Sequence, residues 1–290
     1  MAEIKREYYS SGELRSEVFL LNGKKNGEYK SYRENGQLFE IVSYVDDKKN
    51  GEYKAYYSNG QLCEIYNCID DERNCECKSY WDNGSLYVIY NCIDDKKNGE
   101  YKSYHQNGQL CVNCSYIDDK RNGECKSYWD NGSLYVIYNC IDDKKNGEYK
   151  AYYSNGQLCE IYNCIDDERN GEYKKYYLNG QLSCICSYID DEKNGEYKAY
   201  WDGQLDYICS YINDKRNGEY KSYHENGQLS CVCSYIDDKR NGEIKSYWDN
   251  GSLYVIYNCI DDMINGESKR YDMNGELVES CVYDNGIKID

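Results

Sequence analysis

Two histidines, eighteen cysteines and a recurrent aspartate pair are the residues of this 290-residue chain whose types could do chemistry. His105 and His224 hold equivalent places in a repeating pattern where other copies carry Tyr57, Trp81, Trp129, Tyr153 or Trp248. Neither belongs to a distinctive constellation with a Ser, Cys or carboxylate, as a general base or activated nucleophile requires. No catalytic residue emerges, and the chain reads as a non-enzyme. Cys111 and Cys114 have the CxxC spacing of a zinc or redox site, while Cys75/Cys77, Cys184/Cys186 and Cys231/Cys233 put two thiols on one strand face. On a strand, however, residues three apart point to opposite faces. Several of these sites also alternate with tyrosine in sister copies, Cys114 against Tyr66 and Tyr90. The cysteines therefore read as small apolar strand residues, and neither a metal nor a cofactor is expected. The run Asp94-Asp95-Lys96-Lys97-Asn98-Gly99-Glu100 has the look of a calcium loop, but Lys96 stands where the second oxygen ligand should be. It reads as a charged, solvated turn.

What must position these residues is a repeat. ECKSYWDNGSLYVIYNCIDDKKNG, from Glu76 to Gly99, returns unchanged from Glu124 to Gly147. About 12 units of 24 residues fill the chain: a divergent N-terminal unit (4–27), ten central units (28–266) and a C-terminal unit (267–290), with the unit from Glu196 one residue short. Residues 1–290 are thus expected to form a single tandem-repeat domain. The near-identity of some units marks recent internal duplication, so recurrence alone does not establish a role for each position.

Within a unit the hydrophobic period is two. EYKAYY (52–57) and QLCEIYNCI (61–69) alternate strand-formers with polar residues and flank Ser58-Asn59-Gly60, a strong hairpin signal because Asn and Gly tolerate positive φ. Asn-Gly occupies this turn in ten of the twelve units. Two registers fit: a two-residue turn with Tyr57 opposite Leu62, or a type I turn plus glycine bulge with Tyr56 opposite Leu62 and Lys54 opposite Glu64. The second is preferred, since it pairs the Tyr and Leu present in every unit and sets opposite charges side by side.

Composition narrows the partners. There are 38 Tyr, 2 Phe, no Pro and a net charge of −17, with a mean hydropathy of −0.98. Such a charge repels nucleic acid and anionic membrane surfaces, so neither is an expected partner. The N-terminus lacks the apolar run of a signal peptide, and no stretch approaches the roughly 20 apolar residues of a membrane span. A cytoplasmic setting with reduced thiols is expected.

The unit x-Y-K-x-Y-Y-x-N-G-Q-L-x-E-x-x-Y-x-D-x-K-x-N-G, seen from Glu52 to Asn74, resembles the MORN-type repeat, in the form found in bacterial "antitoxin YwqK" relatives. The resemblance extends from Ile4 to Asp290. It implies an all-β fold: an elongated single-layer antiparallel sheet of tandem β-hairpin repeats. Stability should come from contacts between successive hairpins, each marginal alone. Charges at the two ends, Glu3, Lys5, Arg6 and Glu7 and then Lys288 and Asp290, should discourage stacking of further chains.

The strongest binding candidates are the aromatic residues at the sixth position of the units: Tyr57, Trp81, Trp129, Tyr153, Tyr177, Trp201 and Trp248, with His105 and His224 among them. They are expected to share a face with a small fourth residue (Ala55, Ser79, Ser103, Ser127) and to meet a protein partner, since half-exposed Tyr and Trp suit such interfaces. The alternative is that neighbouring rings simply cover one another. The function expected is a non-enzymatic scaffold for protein–protein interaction through a repeated aromatic face, and the partner could be an unidentified protein or a second copy of the chain. The family form also implies an antitoxin-like neutraliser, and related repeats suggest a lipid-binding module.

Overall fold

A computed structural model describes residues 1–289; Asp290, one of the expected edge charges, lies outside the described residues. Its 32 β-strands, with no helix among the described residues, belong to an open antiparallel sheet of tandem hairpins. The number exceeds two per unit because the rising strand of several hairpins is interrupted at one asparagine. Residues Glu72–Arg73 and Cys75–Tyr80, for example, are two pieces of one strand. The chain divides into two compact units, residues 1–145 and 146–290.

In the first unit the hairpin Cys75–Tyr80 / Leu86–Ile93 illustrates the local logic. Trp81 N–H donates to Ser85 O (2.8 Å) and Gly84 N–H to Trp81 O (2.9 Å), with Gly84 at φ +84°. This is the type I turn with a glycine bulge, and it pairs Tyr80 with Leu86, as Tyr56 pairs with Leu62. A second bulge, between Ser79 and Tyr80, then shifts the ladder by one residue. Because side chains alternate with period two, that single step exchanges faces.

One expectation is corrected by this shift. Lys54 stands opposite Ile65, not Glu64, and its ammonium pairs along its own strand with Glu52. Glu64 lies opposite Ala55, half-buried, where burial raises its carboxyl above the usual range. The sixth residue keeps the face of the fourth: Ser103 lines one depression with Trp81, Tyr87, His105 and Cys111. Ser79 pairs with Val88 on the buried face, and Trp81 packs against Tyr87.

The buried face has a floor of thiols and small residues, including Cys77, Val88, Cys92, Cys114, Cys125 and Cys140 in the first unit. Tyrosines lie over it, Tyr90 against Tyr101 and Tyr101 against Tyr116. Lys97 Nζ sits within 5.2–5.7 Å of all three ring centroids, each contact worth about 0.5–2 kcal/mol. In the second unit Tyr162, Tyr173 and Tyr188 cover Cys184 and Cys186, with the Arg169 guanidinium 4.0 Å from the Tyr188 centroid. Tyrosine suits this one-sided core because its ring buries area while its hydroxyl reaches water.

The acidic turn is a two-residue loop between Ile93 and Lys96, with Asp94 and Asp95 both left-handed (φ 50° and 63°), as a type I′ turn demands. Asp95 Oδ1 accepts the Arg73 backbone N–H (3.1 Å) and Nε–H (2.9 Å) of the preceding hairpin, while Asp95 N–H donates to Arg73 O (3.1 Å). Lys49–Asp71, Lys97–Asp119 and Arg216–Asp238 repeat the backbone part of this clamp. The turn is exposed, as expected, but it also fastens each hairpin to the one before. At the N-terminal edge Ala2–Tyr8 is exposed along its length, with Lys5 paired to Glu7.

Candidate functional site

The sixth-position residues stand at the turn end of the strands, on the face that carries the tyrosine layer. Seven of them reach the backbone of the following hairpin. Tyr57 Oη–H donates to Tyr80 O (2.6 Å), Trp81 Nε1–H to Tyr104 O (3.2 Å), Tyr153 Oη–H to Tyr176 O (2.8 Å), Tyr177 Oη–H to Tyr200 O (2.9 Å) and Trp248 Nε1–H to Tyr271 O (3.2 Å). His105 and His224 do the same to Tyr128 O and Tyr247 O, a carbonyl acceptor that places the proton on Nε2. Arg33 fills the place with a guanidinium, Nη2–H to Tyr56 O at 2.9 Å, its cation 4.7 Å from the Phe39 centroid. What these residue types share is a flat side chain ending in a donor, which is why Tyr, Trp, His and Arg exchange there and Phe does not appear.

Turn asparagines add a second tie. Asn59 Nδ2–H donates to Asp82 O (2.6 Å), Asn107 to Asp130 O (2.7 Å) and Asn226 to Asp249 O (2.6 Å).

The three other tryptophans pack at a tilt against the tyrosine six residues on: Trp81–Tyr87 and Trp129–Tyr135 at 4.4 Å between centroids, Trp248–Tyr254 at 4.5 Å. The tryptophans are half-buried, while Tyr87 and Tyr135 remain 42% and 43% exposed. Beside Tyr57 and Tyr153 the partner position holds Cys63 and Cys159, and beside Tyr177 it holds Ser183. The Cys63 thiol hydrogen bond, then burial, pushes the Tyr57 hydroxyl up to about 12.

Trp201 departs from the pattern. Its hairpin has lost the turn asparagine, so Asp202-Gly203 (φ 49° and 78°) forms a two-residue loop and Trp201 pairs with Gln204. The ring is 66% exposed, donates to no carbonyl and meets only Tyr177 edge-on at 5.9 Å. Open depressions lie on both sides of it. One, of about 750 Å³, is lined by Asn155, Tyr177, Leu178, Asn179, Gln181 and Asp202; the other, of about 650 Å³, by Asp202, Gln204, Asp206, Tyr223, His224 and Glu225.

The structure therefore brings the named aromatics onto one face and sets Trp201 apart from the rest. Sequence reasoning missed an exposed aliphatic row, Ile93, Ile117 and Ile141 in the first unit and Ile189, Ile236 and Ile260 in the second, each 55–59% exposed. Its signal was parity: Ile93 shares a strand face with exposed Asn91. Among the described residues no group of three or more His, Cys, Asp or Glu is placed to hold a metal ion, and no helix is long and apolar enough to cross a membrane.

A sequence profile described as "MORN repeat variant" matches residues 25–46, 49–67, 97–118, 121–139, 145–163, 169–190, 216–237 and 240–258, more than half of the chain. No curated protein matches. Among solved structures, the crystal structure of TcdB2-TccC3 is similar over 97% of this chain and 18% of its own, at 12% identity and a TM-score of 0.21. The Photorhabdus luminescens Tc holotoxin pore, in a TccC3 mutant, gives 97% and 17%, 12% identity and 0.20. The chain spans less than a fifth of those chains.

Proposed function

The chain belongs to the MORN repeat variant family, and on that premise we propose that it is a non-enzymatic repeat scaffold that holds a protein partner against its repeated aromatic face. The observation that carries this reading is the recurrence of Trp–Tyr couples whose tyrosine is left exposed, at Tyr87 and Tyr135. Aromatic pairs of this kind offer large, rigid contact area at little entropic cost. Several weak contacts on one chain would add through effective concentration. A net charge of −17 argues for a protein partner over nucleic acid or an anionic membrane, and a cytoplasmic setting fits the eighteen cysteines, all free among the described residues. The YwqK-like form of the motif offers an antitoxin-like role as the finer alternative, in which one toxin is the sole partner.

The test is affinity capture with mass spectrometry, comparing the wild-type chain with the triple variant Tyr87→Ala, Tyr135→Ala, Tyr254→Ala. Tyr87 and Tyr135 are exposed and Tyr254 is half-buried, and unlike Trp81 and Trp248 they do not tie one hairpin to the next. The partner set should be lost from the variant while its β-structure is retained. Capture unchanged in a folded variant would sink the reading.

A further inference from the structure

The shortened hairpin leaves two carbonyls without the side-chain donors that serve their equivalents. By the repeat, Trp201 would donate to Tyr223 O, as Trp81 does to Tyr104 O. The missing turn asparagine would donate to Glu225 O, as Asn107 does to Asp130 O. Neither bond exists, and both residues line the depression beside Trp201.

The same depression is acidic. Asp202, Asp206 and Glu225 all line it, and none of the three makes an ion pair or a side-chain hydrogen bond. Elsewhere on this chain carboxylates are commonly paired, Glu76 with Lys78 and Asp238 with Arg216 among them. His224 is not free to neutralise them through Nε2, which is bound to Tyr247 O at 2.9 Å. An exposed indole face, two carbonyls open to side-chain donors and three unpaired carboxylates together ask for a flat cation bearing several N–H donors. An ammonium offers a point charge, whereas a guanidinium has a planar fork that stacks on aromatic rings.

The chain already contains the fitted version. At Arg33 a guanidinium occupies the sixth position, stacks on an aromatic ring and donates to the carbonyl of the next hairpin. We propose that the depression formed by Trp201, Asp202, Asp206, Tyr223 and Glu225 is a receptor for an arginine side chain of a partner polypeptide, the guanidinium stacking on Trp201 and donating to Tyr223 O and Glu225 O. This rests on the scaffold reading only in placing recognition on the repeated aromatic face.

The experiment follows the Trp201 indole N–H resonance of the full chain, assigned by its loss in Trp201→Phe, during titration with the peptide Ac-Gly-Arg-Gly-amide. Matched peptides carry citrulline, neutral and nearly isosteric, or lysine. A saturable shift of the Trp201 signal is expected with arginine, about tenfold weaker with citrulline or lysine. Insertion of Asn between Asp202 and Gly203 restores the longer turn and should abolish the response; the double variant Asp206→Asn, Glu225→Gln should weaken it at least several-fold. An unmoved Trp201 signal, equal binding of lysine or citrulline, or full binding by the insertion variant would each overturn the proposal. The Tyr87, Tyr135 and Tyr254 variant leaves this site intact. Loss of partner capture there with arginine binding retained therefore supports both readings separately, and retained capture with arginine binding sinks only the scaffold.

Discussion

The Trp81 hairpin and the Trp201 hairpin differ in one turn residue and put the same side chain to opposite uses. At Trp81 the three-residue loop turns the indole toward the next hairpin, where it is half-buried, packed at a tilt against Tyr87 and bonded to Tyr104 O. At Trp201 the two-residue loop leaves the indole in the strand ladder, 66% exposed and without a carbonyl partner. A tryptophan at this position is thus part of the fold or part of the surface according to loop length. A repeat protein with nearest-neighbour stability can relax one such tie locally without losing the rest.

The largest effect should leave that comparison intact and so serves as its control. Burial holds the hydroxyls of Tyr90 and Tyr220 up to about 12, against 10 for an ordinary tyrosine. A raised folded value stabilises the fold below pH 10, and that stability is lost as pH rises from 10 through the folded values. Circular dichroism should show alkaline unfolding over this range, with tyrosine ionisation tracking it. The midpoint should be the same in the wild type and in the chain with Asn inserted after Asp202, because neither Tyr90 nor Tyr220 belongs to that hairpin. A displaced midpoint would show that the turn shapes the buried face as well.

Next in size is a pair of substitutions that should split the two hairpins. Trp81→Ala removes a half-buried ring and a donor and should cost about 3 kcal/mol in urea unfolding. Trp201→Ala should cost about 0.5 kcal/mol or less. Equal losses would break the distinction. Inserting Asn after Asp202 asks the reverse question. Restoring the Trp201 and Asn ties should stabilise the chain by about 1 kcal/mol and shift the Trp201 emission to the blue, as the ring leaves water. Unchanged emission would mean that loop length does not decide where the ring goes.

The smallest effect concerns the acidic turns. The Arg73 side-chain and backbone hydrogen bonds hold the Asp95 carboxyl below its usual 3.8. A lowered folded value contributes stability above pH 3.8 that is lost as pH falls through the folded value. Asp95→Asn keeps the turn and an oxygen acceptor but removes the charge, so at neutral pH it should cost about 0.5 kcal/mol or less, the pair being exposed. The cost should fade in unfolding curves taken well below pH 3.8. A cost that persists there would mean that the acceptor geometry, and not the charge, makes the clamp.

The hairpins were legible before any coordinates because their signals are local. Alternation with period two and Asn-Gly at the turn define strand, strand and loop, and the invariant Tyr and Leu gave the Tyr56–Leu62 register. The pairing of Lys54 with Glu64 failed for a reason no alternation pattern carries. A bulge one residue before the turn changes parity, and its position depends on how the strand meets its neighbour. The aromatic row was visible as a row, yet not as a set of ties, since the acceptors are backbone carbonyls about 23 residues away and backbone carbonyls leave no mark in a sequence. The aspartate clamps were hidden in the same way.

By itself the sequence determined the all-β class, the 24-residue period, the turn sites and the odd unit from Glu196, because each depends on short-range chemistry. Only the tertiary structure decided which face a side chain joins, which aromatics are spent in joining hairpins and which one is left open. Those outcomes depend on register between strands, where one residue gained or lost reverses every side chain beyond it.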